Sequence, residues 1–336
     1  MSTMAFRITV EQADVRDGIA AWAAGEHGPD RVRRTAEAGV PDPAVGDALV
    51  GIGLPGLLVP EPLGGLGLGL VEAALVAIEF GRACLSHPIV GTALVAAPWL
   101  ARHGFDERLA DVARGTATIA FAHRCNPWVE DLAGAGWLID GSDVRRADGL
   151  AQGRLDSIDP LRRLWAFETD SEDDDLCDIA ALIDAAQLLG LAEGMLAMAR
   201  DYALARVQFG KTIGSFQAIK HHLADIALKI EFARPVLLRA ADALQQRDGL
   251  AGIHVSHAKL ACGDAATIAG ERAIQIHGAM GYTYEVDLHF WMKRSWALTG
   301  AWGNRAFHIG RIEQAILDGT IPIGPDHSFV REHHHG

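Results

Sequence analysis

The sequence predicts a mainly α-helical protein with a small β section at its centre. Three observations carry that expectation. Apolar residues recur at helical spacing at both ends of the chain, as in Leu70–Phe80 and in Phe216, Ile219, Leu223, Ile226 and Ile230. Between Gly115 and Asp175 the pattern turns to short β-like runs broken by polar, Gly- and Asp-containing turns. After Asp178 the helical segments are much longer than average, and one is rich in alanine. Three parts are expected: an N-terminal helical domain over 1–114, a middle β domain over 115–175 and a C-terminal four-helix bundle over 176–330.

Taken in order, residues from about Thr9 to Arg114 read as helices separated by Gly and Pro turns, with a short apolar run at Ala48–Ile52. The helix from Leu70 is expected to stop at Gly81. The Gly-rich run from Glu61 to Gly69 reads as a compact turn, because no apolar strand leads into a GxGxxG phosphate loop. Strands are expected at Ala117–Phe121, Gly136–Ile139 and Leu164–Thr169, and the acidic run Asp170–Asp175 reads as a solvated connector. The first bundle helix runs from about Asp178 to Ala205. A second spans Phe216–Gln246, with Ser215 as N-cap and a bend at the interior Pro235. A third spans about Gly252–Ile276, where Ala258, Ala261, Ala265 and Ala269 allow close packing, and a fourth lies near Arg305–Leu317.

Composition narrows the function. A chain of 336 residues at 49% hydrophobic can bury large cores, and its net charge of −13 argues against nucleic acid or an anionic membrane as a partner. Cys84, Cys125, Cys177 and Cys262 lie far apart with no CxxC, so no metal site and no disulfide framework is expected. The N-terminus lacks an apolar signal core, and no run approaches about 18 apolar residues. The expectation is a soluble, cytoplasmic chain. His333–His335 near the C-terminus read as a disordered end or a metal-binding tail.

The most informative stretch is Arg206–Asp225, RVQFGKTIGSFQAIKHHLAD. Arg206 offers a planar cationic fork for phosphate, Gln208 a neutral donor, Phe209 a flat apolar face and Gly210 a tight turn. A helix then opens, and its first N–H groups suit an anion. Such a set fits a dinucleotide. Gly210-Lys211-Thr212 imitates the end of a Walker motif, but Ala205 stands where that motif needs glycine.

The same stretch resembles the acyl-CoA dehydrogenase family, whose C-terminal domain carries R-x-x-F-G and then F-Q-x-x-x-H-x-L-A-D. Gln275–Glu285 is similar to the family's Q-x-x-G-G-x-G-[YF]-x-x-E, and Gly51–Glu61 leading into Gly64–Gly67 agrees near the N-terminus. The resemblance implies a helical domain, a β domain and a helical bundle. It also implies that Arg206, Gln208, Phe209 and Gly210 meet the pyrophosphate side of an FAD. Phe216 and Gln217 would line the adenine path, with Gln275, Ile276, His277, Gly278 and Ala279 closing it. His277 reads equally as a satisfied core histidine. Ala279 stands where the family has a second glycine.

In the family a glutamate base removes the α-proton of the thioester, from one of two places. Here those places fall on Ala180 and Trp302, neither of which takes a proton. Asp178 and Asp184 are the nearest carboxylates and read as helix-surface charges unless one serves as a displaced base. The family's T-E-P-x-x-G-S-D and K-x-W-I-T-N flavin-ring segments are missing from 115–175, and that section is shorter than the resemblance implies. No catalytic residue is assigned. The chain most resembles the short, base-less subunit of heteromeric α2β2 steroid side-chain enzymes, as Glu285–Phe290 followed by Lys293-Arg294 also suggests. That resemblance implies an FAD shared with a longer acyl-CoA dehydrogenase-like partner, an acyl-CoA substrate and an electron-transfer flavoprotein as acceptor. A self-sufficient homo-oligomer, a flavin-free scaffold or acyl-CoA-binding protein, and a flavin oxygenase are the alternatives.

Overall fold

The computed structural model describes residues 8–321 and 324; His333–His335 lie outside them. The N-terminal layer holds α1 (Val10–Glu26), α2 (Pro29–Ala38), α3 (Pro43–Gly51) and α4 (Leu70–Arg82). Next come α5 (Pro88–Gly91), which continues through a π-helical turn at Thr92–Ala96 into α6 (Ala97–His103), and α7 (Asp106–Ala113). Thr9 caps α1 through a reciprocal bond with Gln12, and prolines at the first turns of α2 and α3 start those helices where their missing N–H costs nothing. The Glu61–Gly69 run is a compact turn carrying one short 3-10 segment, Glu61–Leu63.

The middle section has six short strands: β1 (Ile119–Ala122), β2 (Trp128–Glu130), β3 (Trp137–Asp140), β4 (Asp143–Arg146), β5 (Arg154–Leu155) and β6 (Leu164–Ala166). They form two three-stranded sheets, ordered β1-β3-β4 and β2-β6-β5. Only the β1–β3 pair is parallel. A small core of Ala120, Ala122, Val129, Leu132, Leu138 and Ala147 holds this section together. β2, β4 and β5 go beyond the expected strands; β4, Asp-Val-Arg-Arg, is too polar to read as one.

The C-terminal part comprises α8 (Asp174–Ala205), a hairpin of β7 (Val207–Gln208) and β8 (Lys211–Thr212), α9 (Gln217–Gln245), α10 (Ala251–His277), α11 (Leu288–Gly300) and α12 (Arg305–Leu317). The four expected helices are joined by α11, which the sequence did not announce. α9 continues through Pro235, and the cap before it is Phe216 rather than Ser215, whose hydroxyl turns back to Thr212 O at 2.7 Å. α8 is long and apolar enough to cross a membrane, contrary to the sequence expectation, but 89% of its most apolar window is buried because it is the bundle's central helix.

Two further expectations fail for identifiable reasons. Gly81 does not end α4, which runs to Arg82. It is a point of close approach instead: a Cβ there would stand 2.8 Å from Gln187 Cα on α8. The acidic run Asp170–Asp175 is not a free connector, since it runs into the first turn of α8. Asp173 accepts from Leu176 N at 3.0 Å as the α8 cap and from Trp99 Nε1 at 2.8 Å, and Asp175 pairs with Arg102.

Candidate functional site: an open groove and a small cavity

The groove grows out of local chain geometry. Phe209 and Gly210 form the two-residue tip of the β7–β8 hairpin, both with positive φ (52° and 79°), as a primed turn requires. The non-glycine residue pays steric strain for this, and its ring stands 92% exposed. Arg206 ends α8, its N–H held by Tyr202 O at 2.8 Å, and its side chain is exposed. Phe216 meets Phe209 edge-on at 6.3 Å, with the Lys211 ammonium 4.6 Å from the Phe216 ring centre. α9 begins with no side-chain cap and no acidic residue in its first turn, so its leading N–H groups stay free for an anion.

These elements bound an open groove of about 560 Å³. Arg206, Gln208, Phe209, Phe216, Ile276, His277, Gly278 and Ala279 line it. Gly210, Gln217 and Gln275 do not; Gly210 shapes the turn, while Gln217 and Gln275 point to solvent from their helices. Tyr202, Ile213, Ala218, Ile219 and Met280 also line the groove; all but Tyr202 fall within the two motif stretches, at positions to which no cofactor contact was assigned. His277 is a satisfied core histidine as well as a wall. Its Nδ1 lies 2.8 Å from Ala273 O, its ring stacks on Tyr202 at 4.4 Å, and burial pushes its pKa down.

A separate cavity of about 90 Å³ lies where the N-terminal layer, the β section, α8 and α11 meet. Ala180 and Trp302 both line it. The Trp302 ring packs on Phe121 at 5.4 Å. Its backbone, at φ 52°, is pinned: N–H donates to Asn126 Oδ1 at 3.1 Å and C=O lies 3.1 Å from His308 Nε2. Lys259 Nζ, buried, donates to Leu298 O (2.8 Å) and Ala301 O (2.7 Å), fixing the chain just before Trp302. Burial holds His308 neutral, with its pKa pushed down to about 3.

Among mostly uncharged walls, Glu130, Asp131, Asp184 and Arg294 bring charge to the cavity, each with an ion partner. Arg294 donates to Asp159 Oδ2 at 3.0 Å and Gln187 Oε1 at 3.1 Å; Arg162 donates to Glu130 at 2.9 Å; Arg163 pairs with Asp131. Neither Asp178 nor Asp184 is the surface charge expected. Asp178 is buried and takes two bonds from Arg311, at 2.6 and 3.2 Å. It faces a different groove, beside Arg102 and Asp175. Asp184 is buried one helical turn after Ala180, lines the cavity, and sits 3.6 Å from Lys259 Nζ. Burial pushes both carboxyls above their ordinary range, against the pull of their cations.

Comparison with known proteins agrees with this architecture. Residues 9–118 match the description "Acyl-CoA dehydrogenase, N-terminal domain" and residues 179–317 match "Acyl-CoA dehydrogenase, C-terminal domain". The chain is 32% identical over 295 residues to acyl-CoA dehydrogenase IpdE2 of Mycobacterium tuberculosis (strain ATCC 25618 / H37Rv), covering 85% of this chain and 91% of that protein. It also superposes on a Tcur3481–Tcur3483 steroid ACAD variant with a TM-score of 0.80 and 24% identity, over 92% of this chain and 98% of the other. The ChsE4–ChsE5 complex of Mycobacterium tuberculosis gives a TM-score of 0.80 at 20% identity, over 94% and 99%. On the domain matches and the near-full-length likeness to IpdE2, the chain is a member of the acyl-CoA dehydrogenase family.

Proposed function

We propose that this chain is the base-less subunit of a heteromeric acyl-CoA dehydrogenase, holding the nucleotide end of an FAD whose reacting end belongs to a longer partner. One observation carries the reading: the groove is open, with Arg206 and no acidic residue in its lining, while the cavity that both expected base positions line is small and has tryptophan at one of them. Ligand pockets usually run to about 300–1,000 Å³, so about 90 Å³ does not suit an acyl chain lying against a flavin ring.

The groove's donor set fits the nucleotide end. Arg206 and the uncapped start of α9 supply positive charge and N–H donors for a pyrophosphate, while Phe209 and Phe216 give apolar faces. Gly278, at φ 59°, turns the chain at the end of α10 in a conformation that L side chains rarely adopt and leaves the groove open beside Ala279. Bound FAD would accept the substrate's β-hydride as a partner carboxylate takes the α-proton. Phe209, almost wholly exposed, leaves the groove lacking a wall that a second chain can supply. Substrate would be an acyl-CoA, with a steroid side chain favoured by the steroid ACAD neighbour and by the sequence resemblance, and an electron-transfer flavoprotein would reoxidise the flavin.

Asp184 supports a second reading. It is the one sequence candidate that faces the cavity, so a self-sufficient enzyme with a displaced base would use it. Co-expression with a longer acyl-CoA dehydrogenase-like chain separates the two. The proposal expects one FAD per unlike pair, marked flavin loss in Arg206→Ala, and turnover unaffected in kind by Asp184→Asn. Flavin bound to this chain alone and bleached by an acyl-CoA would establish the second reading instead.

A further inference from the structure

We propose that His123, Cys125 and Cys177 form a binding site for a divalent cation of the zinc type, set between the β section and the first turn of α8. One ligand atom from each residue, an imidazole nitrogen and two Sγ, lies within 4.8 Å of both others. Zinc bonds of about 2.0–2.3 Å in a tetrahedral arrangement put ligand atoms roughly 3.5–3.8 Å apart, so a closure of about 1.3 Å at most completes the geometry. Two thiols and an imidazole are the donor types that zinc prefers.

The surroundings favour a cation over bare side chains. His123 and Cys177 are buried and Cys125 is half-buried, which leaves one side for entry. His123 Nδ1 accepts from Cys125 N at 3.2 Å, and its buried Nε2 meets no partner among the described residues. A buried polar atom left so costs free energy that coordination, after a turn of the ring or a tautomer change, would recover. Two thiolates neutralise a dication, so the loaded site carries no net charge into the interior.

Both ligand segments are already fixed. Asn126 N donates to His123 O and Arg124 N to Ser171 O, each at 3.0 Å, while Cys177 N donates to Asp173 O at 3.0 Å. The spacing hides this in the sequence, where His123-x-Cys125 alone is too sparse a pattern for a metal motif. The site lies behind the cavity plug: the His123 and Trp302 rings are 6.2 Å apart, and Asn126 on the same turn holds the Trp302 N–H. A bound cation would therefore brace the turn that seats Trp302.

The test titrates Co2+, then Zn2+, into reduced full-length chain. The expected result is one equivalent of a sulfur-to-cobalt charge-transfer band that Zn2+ abolishes, absent from both Cys125→Ser and Cys177→Ser. His333–His335 carry no thiol and cannot give this band. Should a variant not fold by circular dichroism, alkylation of the wild type with mass mapping decides, since Zn2+ should shield Cys125. No band at stoichiometric Co2+, a band that survives both substitutions, or Cys125 alkylation indifferent to Zn2+ would each overturn the proposal. So would a Cys125–Cys177 disulfide in the isolated chain whose reduction yields no cobalt band.

Discussion

The crossing of α4 and α8 sets which face of α8 meets the cavity, and two glycines make that crossing possible. A Cβ on Gly190 would stand 2.7 Å from Arg82 N and 2.8 Å from the Ile78 carbonyl carbon, and nearer still to its oxygen. The Gly81 Cβ would meet Gln187 in the same way from the opposite helix. Ordinary Cβ contacts begin at 3.4 Å, so Gly190→Ala must push two backbones apart by more than about 1 Å, the Ile78 oxygen setting the requirement. No rotamer change relieves a clash between backbones. A gap of 0.5–1 Å forfeits roughly a quarter to a half of each dispersion contact across it. Overpacking of this kind costs about 1–3 kcal/mol, and the better helix propensity of alanine returns at most ~1 kcal/mol. The expected net effect is a loss of about 1–2 kcal/mol. Gly310, exposed within α12 with nothing within 4 Å of its Cβ position, is the control. The same substitution there should stabilise by about 0.5–1 kcal/mol. Urea unfolding followed by tryptophan fluorescence measures both. If Gly190→Ala proves as stable as Gly310→Ala, the crossing does not depend on the glycines and the packing argument fails.

Three other outcomes are expected. Buried His27 has its pKa pushed down to about 4 by desolvation, so the unfolded chain binds a proton between about pH 6.5 and 4 that the folded chain refuses. Its contribution is therefore intact above pH 6.5 and is lost as pH falls through that window, by up to ~1.4 kcal/mol per unit. His27→Leu should flatten the slope of stability against pH relative to wild type, and an unchanged slope would contradict the assignment. Arg294→Met strands the Asp159 carboxylate in the interior and should cost about 3–5 kcal/mol, whereas adding Asp159→Asn should recover part of it. Strict additivity in that cycle would deny the pair. Arg206→Ala should leave the unfolding midpoint of this exposed position within about 0.5 kcal/mol while lowering flavin retention in the complex, which a merely structural arginine would not do.

One wall of the groove was legible because it is local, and the other, Ile276–Ala279, only through the family motif. Arg206 to Phe216 folds back on itself in a two-residue hairpin, so neighbours in sequence become neighbours in space. Helices α4, α8, α9, α10 and α12 were legible from periodicity and alanine content, while α11 was not: Leu288, Phe290, Trp291, Met292, Arg294, Ser295 and Leu298 are buried around more than one face, leaving no clean stripe. Asp178 and Asp184 were misjudged because their cations, Arg311 and Lys259, come from distant helices. Lys259, the one lysine of an alanine-rich helix, was an available hint of an interior ion pair. The same remoteness hid the cavity, whose walls come from the N-terminal layer, the β section and two bundle helices.

That remoteness also gives the cavity its meaning. Ala180 sits on α8 and Trp302 on the turn after α11, yet both face one space. A base lost at only one of two alternative places would leave the chemistry open to the other. On the proposed reading both are replaced, one by the smallest side chain with a Cβ and one by the largest, and Asn126, Lys259 and His308 hold the backbone that carries the largest. The indole itself is placed by packing, on the Phe121 ring at 5.4 Å and beside the His123 ring at 6.2 Å. The arrangement is that of a wall, and Trp302→Ala tests it: the truncation should cost about 3–5 kcal/mol and yield no turnover, since it opens space without supplying a proton acceptor at Ala180. Activity gained by that substitution would mean that Asp184 had been a base all along, waiting only for room.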